Sequence, residues 1–185
     1  MQQVMLRVSS GVTAIKRSAL GTPASLSPLI QGKRIFGVGL FFVAVLFGFI
    51  QYFMHYGVDS LSEFSLSDYF ASYFNVHHVG GSFTPKELSL LFTIFVFMQF
   101  WNIFNAKAFM TGRSAFRGLF TKNIAKGFCL TLAIILVGQI LIVTLGGEMF
   151  EVVPLPLGDW LRIIAGTSVI LWIGELGRLK VRGER

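Results

Sequence analysis

Charge is scarce in this sequence and is absent from its longest apolar stretches. Charged residues make up 14% of the 185 residues, hydrophobic residues make up 54%, and the mean hydropathy is +0.68. Because soluble globular domains carry about 25% charged residues, this composition excludes an ordinary soluble domain. The chain is therefore predicted to be an integral membrane protein.

Cysteine and metal-binding motifs are also lacking. Cys129 is the only cysteine, which excludes a disulfide or a cysteine-based metal cluster within the chain. The sequence contains no His-x-x-x-His motif and no Cys-x-x-Cys motif, and the adjacent His77 and His78 do not converge on one metal as an i, i+4 pair would. Nothing here supports an intramembrane enzyme or a channel in its own right.

Four apolar runs are each long enough to cross a membrane as a helix. A hydrocarbon core of ~30 Å requires about 20 apolar residues at ~1.5 Å per residue. The expected spans are residues 35–56, 88–106, 127–147 and 157–179, with an extracytoplasmic loop at 57–85 and a cytoplasmic loop at 107–126. The predicted fold class is an all-α integral membrane protein, a bundle of four transmembrane helices within residues 33–181.

Residues 1–32 precede the first span without a strong apolar period. They contain five Ser, two Pro, three Lys or Arg and no acidic residue, a composition typical of a transit peptide, but they lack the apolar core of a secretory signal. A cytoplasmic lead-in, or the edge of an incomplete reading frame, is the preferred interpretation. No fold is assigned to this segment.

Lys and Arg are distributed unevenly between the connections. Fourteen of the sixteen lie before the first span, in the 107–126 loop or after Leu176, whereas seven of the nine acids lie in or beside the other two connections. The positive-inside rule then places both termini in the cytoplasm, and the expected location is the plasma (inner) membrane. Because the basic residues flank apolar runs and form no patch, the expected partner is the lipid bilayer and not nucleic acid.

The second run contains three amides, Gln99, Asn102 and Asn105, at successive steps of three. On a helix of about 3.6 residues per turn they cover an arc of roughly 120°. An amide left unpaired in lipid costs several kcal/mol, so this arc is expected to face other helices, a buried polar cavity or water. Interhelical hydrogen bonding and an ion path are both open interpretations.

Small and polar residues in the other spans predict close helix packing. Ala44 and Gly48 form a small-xxx-small pair in the first span. The residues assigned to packing are Gly37, Ala44, Gly48, Gln139, Gly166 and Gly174.

The long 57–85 connection is expected to form a lid on the outer surface. Ser60 and Glu63 fit a capping box, and the aromatic residues that follow could line one side of a short interfacial helix: Phe64, Tyr69, Phe70, Tyr73 and Phe74.

Three segments, TIFVFMQFWNIFNAKAF, RSAFRGLFTKN and QILIVTLGGEMFEVVPLPLGDWLRIIAG, resemble the C-terminal membrane part of type II P-type cation ATPases, and within them the plasma-membrane-type calcium pumps. The resemblance covers about Pro28 to Lys180. It implies that the spans are helices seven to ten of a ten-helix domain, with the remaining helices and cytoplasmic domains of the pump as partners. It also implies that Gln99 and Asn102 neighbour the transport site, although neither is a charged ligand.

The catalytic parts of that family are not in these 185 residues. The aspartyl-phosphate motif DKTG, the nucleotide-binding and actuator domains and the acidic residues of the fifth and sixth helices are missing. No cofactor is therefore expected in this chain, whereas a complete pump would use ATP, Mg²⁺ and Ca²⁺. The leading hypothesis is the support bundle of a calcium-translocating pump, not an autonomous pump. The alternative is a small multi-pass scaffold or regulatory subunit that binds partner helices.

Overall fold

The structure is a computed structural model that describes residues 28–74, 82–111, 114 and 125–183. All regular structure in these residues is helical, which confirms the predicted fold class. The elements are α1 (Pro28–Tyr56), a 3-10 turn (Leu61–Glu63), α2 (Leu66–Phe74), α3 (Pro85–Thr111), α4 (Ala125–Leu145), α5 (Gly147–Phe150), α6 (Leu157–Thr167) and α7 (Val169–Gly183). The predictions for residues 1–27, for the His77–His78 pair and for most of the basic loop lie outside the described residues.

The described residues contain four stretches that are long and apolar enough to span a membrane. They are Ile35–Tyr56, Pro85–Ala108, Lys126–Leu145 and Leu157–Leu176. The last was expected to be one helix but is broken at Ser168. The hydroxyl groups of Thr167 and Ser168 donate to the carbonyls of Ile163 and Ala165, both at 2.6 Å, and this back-bonding bends helices.

The chain forms two compact units, Met1–Val43 and Ala44–Arg185. The described part of the first unit is the first half of α1, where Ile35, Phe36 and Leu40 are exposed apolar side chains. In the second unit, α3 is the central helix and packs against α4, α6 and α7. A run of aromatic contacts joins α3 to its neighbours, as where Phe97 meets Trp160 and Phe104 meets Phe128.

From Ala44 onward, α1 contacts the connection that follows it. The Tyr52 hydroxyl donates to the Glu63 carbonyl at 3.2 Å and accepts from the Ser65 N–H at 3.3 Å. The Phe64 ring packs edge-on against Tyr52, with centroids 5.3 Å apart. Such aromatic pairs contribute about 0.5–1.5 kcal/mol beyond area burial, so the connection is held against α1 by packing as well as by hydrogen bonds.

A buried carboxylate closes the predicted extracytoplasmic end of α3. Thr84 and Glu87 form a reciprocal capping box, in which the Thr84 N–H donates to Glu87 Oε2 at 2.8 Å and the Glu87 N–H donates to Thr84 Oγ1 at 3.2 Å. Glu87 Oε1 also accepts from the Val58 N–H at 3.0 Å. Glu87 therefore both caps α3 and holds the chain that leaves α1.

A second buried carboxylate, Asp159, lies in the first turn of α6 and holds the same connection. Its Oδ1 accepts from Ser60 Oγ at 2.7 Å and from the Leu61 N–H at 3.1 Å. Arg162 Nη1 lies 3.5 Å from the same oxygen. Oδ2 is buried, and none of the described residues bonds to it. Together, the two acids anchor the segment from Val58 to Leu61 to the ends of two spans.

The segment after α1 differs from the expected capping box and one-sided aromatic row. Ser60 caps only the short 3-10 turn, where its hydroxyl accepts from the Ser62 N–H at 3.2 Å, and Glu63 is exposed. Along α2, Tyr69 is buried whereas Phe70 and Phe74 are exposed. The aromatic residues of α2 therefore divide between two sides of the helix, because Tyr69 and Tyr73 contact α1 whereas Phe70 and Phe74 point away from it.

Candidate interface for partner helices

One face of α3 is joined to α4 by a buried polar seam. Gln139 Nε2 donates to Thr93 Oγ1 at 3.0 Å, and Thr93 Oγ1 donates to the Ser89 carbonyl at 2.7 Å. The Ser89 hydroxyl donates to Pro85 O and accepts from the Val153 N–H. A hydrogen bond between membrane helices contributes about 0.6–2 kcal/mol, so Gln139, which the sequence assigned to packing, has a paired structural position.

A second face of α3 is joined to α6 and α7. Asn105 Nδ2 donates to the Ile170 carbonyl at 2.8 Å, and the indole N–H of Trp101 donates to Thr167 Oγ1 at 3.1 Å. The Asn105 amide lies directly over Gly174, where a Cβ atom would overlap it. Gly174 therefore permits the close approach that lets Asn105 reach an α7 carbonyl.

Gln99 and Asn102 lie on the remaining side of α3, away from both packed faces. At about 100° per residue, the buried side chains of Leu90, Phe97 and Ala108 project opposite to Gln99. Both amides are half-buried, and among the described residues neither makes a hydrogen bond. The predicted three-amide arc is thus split, since the described residues provide a hydrogen-bond partner for Asn105 but none for Gln99 or Asn102.

We call this side the open face of α3. It comprises six residues that, at ~100° per residue, span an arc of about 100° around Gln99: Phe92, Phe95, Gln99, Asn102, Ile103 and Ala106. All six lie within the uncharged run that is predicted to cross the membrane. Because an unpaired amide in hydrocarbon costs several kcal/mol, a face that carries two of them is suited to a polar partner rather than to lipid.

The other residues assigned to packing differ in their surroundings. Gly48 is buried against Tyr69, whose hydroxyl would overlap a Cβ atom at that position. Ala44 is half-buried. Beside Gly37 and Gly166, nothing in the described part of the chain lies within 4 Å of an added Cβ, so a packing role for these two stays a prediction.

The described residues do not bring three His, Cys, Asp or Glu side chains together as a metal site. The oxygen donors of the open face are the carbonyls of Gln99 and Asn102. Since Ca²⁺ takes six to eight oxygen ligands, these two amides could only complete a site that other helices build.

The sequence interpretation missed Glu87 and Asp159 as anchors of the connection. A signal for Glu87 was present, because Thr84, Pro85 and Glu87 form the Thr-x-x-Glu pattern with proline at the first helical position. Asp159 has only the weaker signal of an acid in the first turn of its helix. Its hydrogen-bond partners, Ser60 and Leu61, are far away in sequence and no local pattern indicates them.

This fold is that of a helical, multi-pass membrane protein. Residues 22–179 match the family described as "Cation transporting ATPase, C-terminus". The chain belongs to this family, which confirms the resemblance to the C-terminal region of P-type cation ATPases.

Similar proteins include plasma membrane calcium-transporting ATPases of animals. The chain is 36% identical over 94 residues to plasma membrane calcium-transporting ATPase 1 of Homo sapiens, which covers 50% of this chain and 7% of that protein. It is 32% identical over 88 residues to a plasma membrane calcium-transporting ATPase of Caenorhabditis elegans, which covers 47% of this chain and 7% of that protein. The chain thus spans less than a tenth of the length of these relatives. No solved structure matches it.

Proposed function

We propose that this chain is the C-terminal membrane support domain of a calcium-translocating P-type ATPase, and that the open face of α3 packs beside the ion-transport helices. The observation that carries the proposal concerns the amides of α3. Gln99 and Asn102 make no hydrogen bond with the described residues, whereas the other amide of the span, Asn105, is paired within the chain. Family membership and the likeness to calcium-transporting ATPases support calcium as the cation.

In this proposal the chain supplies packing and orientation rather than chemistry. Phosphoryl transfer depends on positioned phosphates, Mg²⁺ and a nucleophile, and these 185 residues contain no DKTG motif to provide the aspartyl nucleophile. ATP and Mg²⁺ belong to the cytoplasmic domains of the complete pump. Ca²⁺ is the transported substrate, and the Gln99 carbonyl oxygen contributes at the edge of its path.

Association with a phosphorylatable pump tests this function. The tagged chain is purified in mild detergent from membranes of its own source and incubated with labelled ATP, with and without Ca²⁺. The expected result is Ca²⁺-dependent, acid-stable phosphate in the purified material. Gln99→Trp, which adds bulk to the open face, should abolish this signal. Ile134→Trp is the matched control, because Ile134 is a largely exposed apolar residue of α4, and it should preserve the signal.

Two results would contradict the proposal. One is a chain that purifies folded and without any acid-stable phosphate. The other is equal phosphate incorporation by the Gln99→Trp and Ile134→Trp variants, since bulk on a docking face must disturb docking.

We further propose that both termini are cytoplasmic and that the membrane is the plasma membrane. The asymmetry of Lys and Arg between the connections supports the orientation, and the likeness to plasma membrane calcium-transporting ATPases supports the choice of membrane. In a Cys129→Ser background, cysteines at Ser62 and Glu148, both exposed, should react with an impermeant thiol reagent applied to intact cells. A cysteine at Ser114 should react only after the membrane is opened. Labelling of position 114 in sealed cells would reject this orientation.

A further inference from the structure

We propose that α2 is a re-entrant helix that descends into the outer leaflet beside α1 and presents Leu66, Phe70 and Phe74 to lipid acyl chains. The inference concerns the connection between the first two spans. It does not depend on the proposed pump function.

The connection begins at the outer boundary of the membrane domain. The Val58 N–H donates a hydrogen bond to the Glu87 carboxylate at the start of α3, and the Leu61 N–H donates one to the Asp159 carboxylate at the start of α6. Glu87 borders the uncharged stretch of its span, and Asp159 lies in the first turn of the helix that begins the last span. The end of α1 and the starts of α3 and α6 therefore lie at about the same depth in the membrane, near Tyr56.

Beyond the 3-10 turn, the chain moves back along α1. Phe64 packs against Tyr52 at the top, and Tyr69 then packs against Phe49 with ring centroids 5.1 Å apart. The Tyr69 hydroxyl donates to the Val45 carbonyl at 2.9 Å, and the Tyr73 ring lies 5.5 Å from Phe47.

These contacts give the depth of α2. At ~1.5 Å per residue, Gly48 lies about 12 Å below Tyr56 along α1, and Gly48 is the residue against which Tyr69 is seated. One leaflet of a ~30 Å hydrocarbon core is about 15 Å thick. A helix whose side chains reach Val45 and Phe47 therefore lies at acyl-chain depth, rather than on the outer surface where the sequence led us to expect it.

The outward side of α2 has the composition that lipid requires. Leu66, Phe70 and Phe74 follow one another at steps of four, so they form one stripe, and they are 62%, 55% and 82% exposed. The Ser72 hydroxyl is satisfied by the Tyr69 carbonyl at 2.9 Å. Asp68, the one charged residue of α2, lies in its first turn, nearest the headgroups.

The contrast with the open face of α3 identifies the occupant. That face carries two amides that need polar partners, whereas all three side chains of the stripe on α2 are apolar. Lipid tails are as apolar as leucine, and the stripe has no side chain that needs a hydrogen bond. Contact with acyl chains therefore leaves no polar group unpaired, and a protein partner is not required. The same apolar exposure is found on α4, for example at Ile134 and Val137.

Spin-label accessibility of the full chain in liposomes tests this inference. In a Cys129→Ser background, labels at Phe70→Cys and Phe74→Cys should show high oxygen accessibility and a several-fold lower accessibility to a water-soluble nickel complex than a label at Ser62→Cys. Their values should resemble those of Ile134→Cys on α4.

Two outcomes would overturn the inference. Nickel accessibility equal to that at Ser62 would place α2 in water, and low accessibility to both reagents would mean that protein, either a second copy or a partner helix, covers the stripe. The unmodified chain provides an independent measurement, because photoactivatable acyl-chain probes should label the peptide that contains Leu66, Phe70 and Phe74. Absence of label there, together with labelling of α4, would equally reject lipid as the occupant.

Discussion

Replacing Asp159 with alanine should lower the free energy of unfolding by about 3 kcal/mol, because buried donors that lose a charged acceptor cost roughly 1–3 kcal/mol each. The Asp159 side chain is fully buried. Its removal leaves the Leu61 N–H and the Ser60 hydroxyl without their acceptor. Arg162 adds little, since its side chain is 48% exposed and remains hydrated when the carboxylate is lost.

Unfolding by SDS titration in mixed micelles measures this loss. Glu151→Ala is the matched control, because Glu151 is an exposed acid of the connection that leads to α6, and it should change stability little. Asp159→Asn keeps a side-chain oxygen and should recover part of the loss. Hydrogen exchange adds a local readout, in which the Leu61 amide loses protection and the Val58 amide, held by Glu87, keeps it. Equal effects of Asp159→Ala and Glu151→Ala would show that Asp159 does not anchor the connection.

The spans could be predicted because the bilayer imposes a strong, local requirement. A helix that crosses hydrocarbon must exclude charge over about 20 residues, and a run such as Leu88–Ala106 meets that requirement by itself. The break at Ser168 has no such signal. It depends on which backbone carbonyls accept hydrogen bonds from the Thr167 and Ser168 hydroxyls. The spacing of apolar residues contains no information about these hydrogen bonds.

The orientation of the three amides of α3 could be predicted only as a shared arc. Gln99, Asn102 and Asn105 have the same spacing and nearly the same chemistry. Their different environments come from tertiary packing. Helix α7 approaches α3 at Gly174, and this brings the Ile170 carbonyl within hydrogen-bond distance of Asn105 alone. Likewise, the sequence marks Gly48 as a place of close approach, but it does not say that Tyr69 of the connection occupies it.

Gln99 and Gln139 are chemically identical side chains in opposite situations, so together they test the transport role. Gln139 is buried and bonded to Thr93, whereas Gln99 lies on the open face of α3, without a hydrogen bond to the described residues. In the assembled pump, Gln99→Leu should weaken the apparent affinity for Ca²⁺ about tenfold, which corresponds to ~1.4 kcal/mol. Gln139→Leu should leave that affinity unchanged and cost about 1 kcal/mol of stability, as for a lost membrane hydrogen bond.

Gln99→Glu completes the test, because it adds charge and a stronger oxygen donor with little change in shape. It should tighten Ca²⁺ binding and make it more dependent on pH, since a carboxylate must be deprotonated to bind a cation. ATP-dependent ⁴⁵Ca²⁺ uptake into sealed vesicles, measured across Ca²⁺ concentrations and pH, gives both quantities. If uptake were indifferent to Gln99→Leu and Gln99→Glu while both variants lost stability, Gln99 would be a packing amide like Gln139. The open face would then dock helices without bordering the ion path.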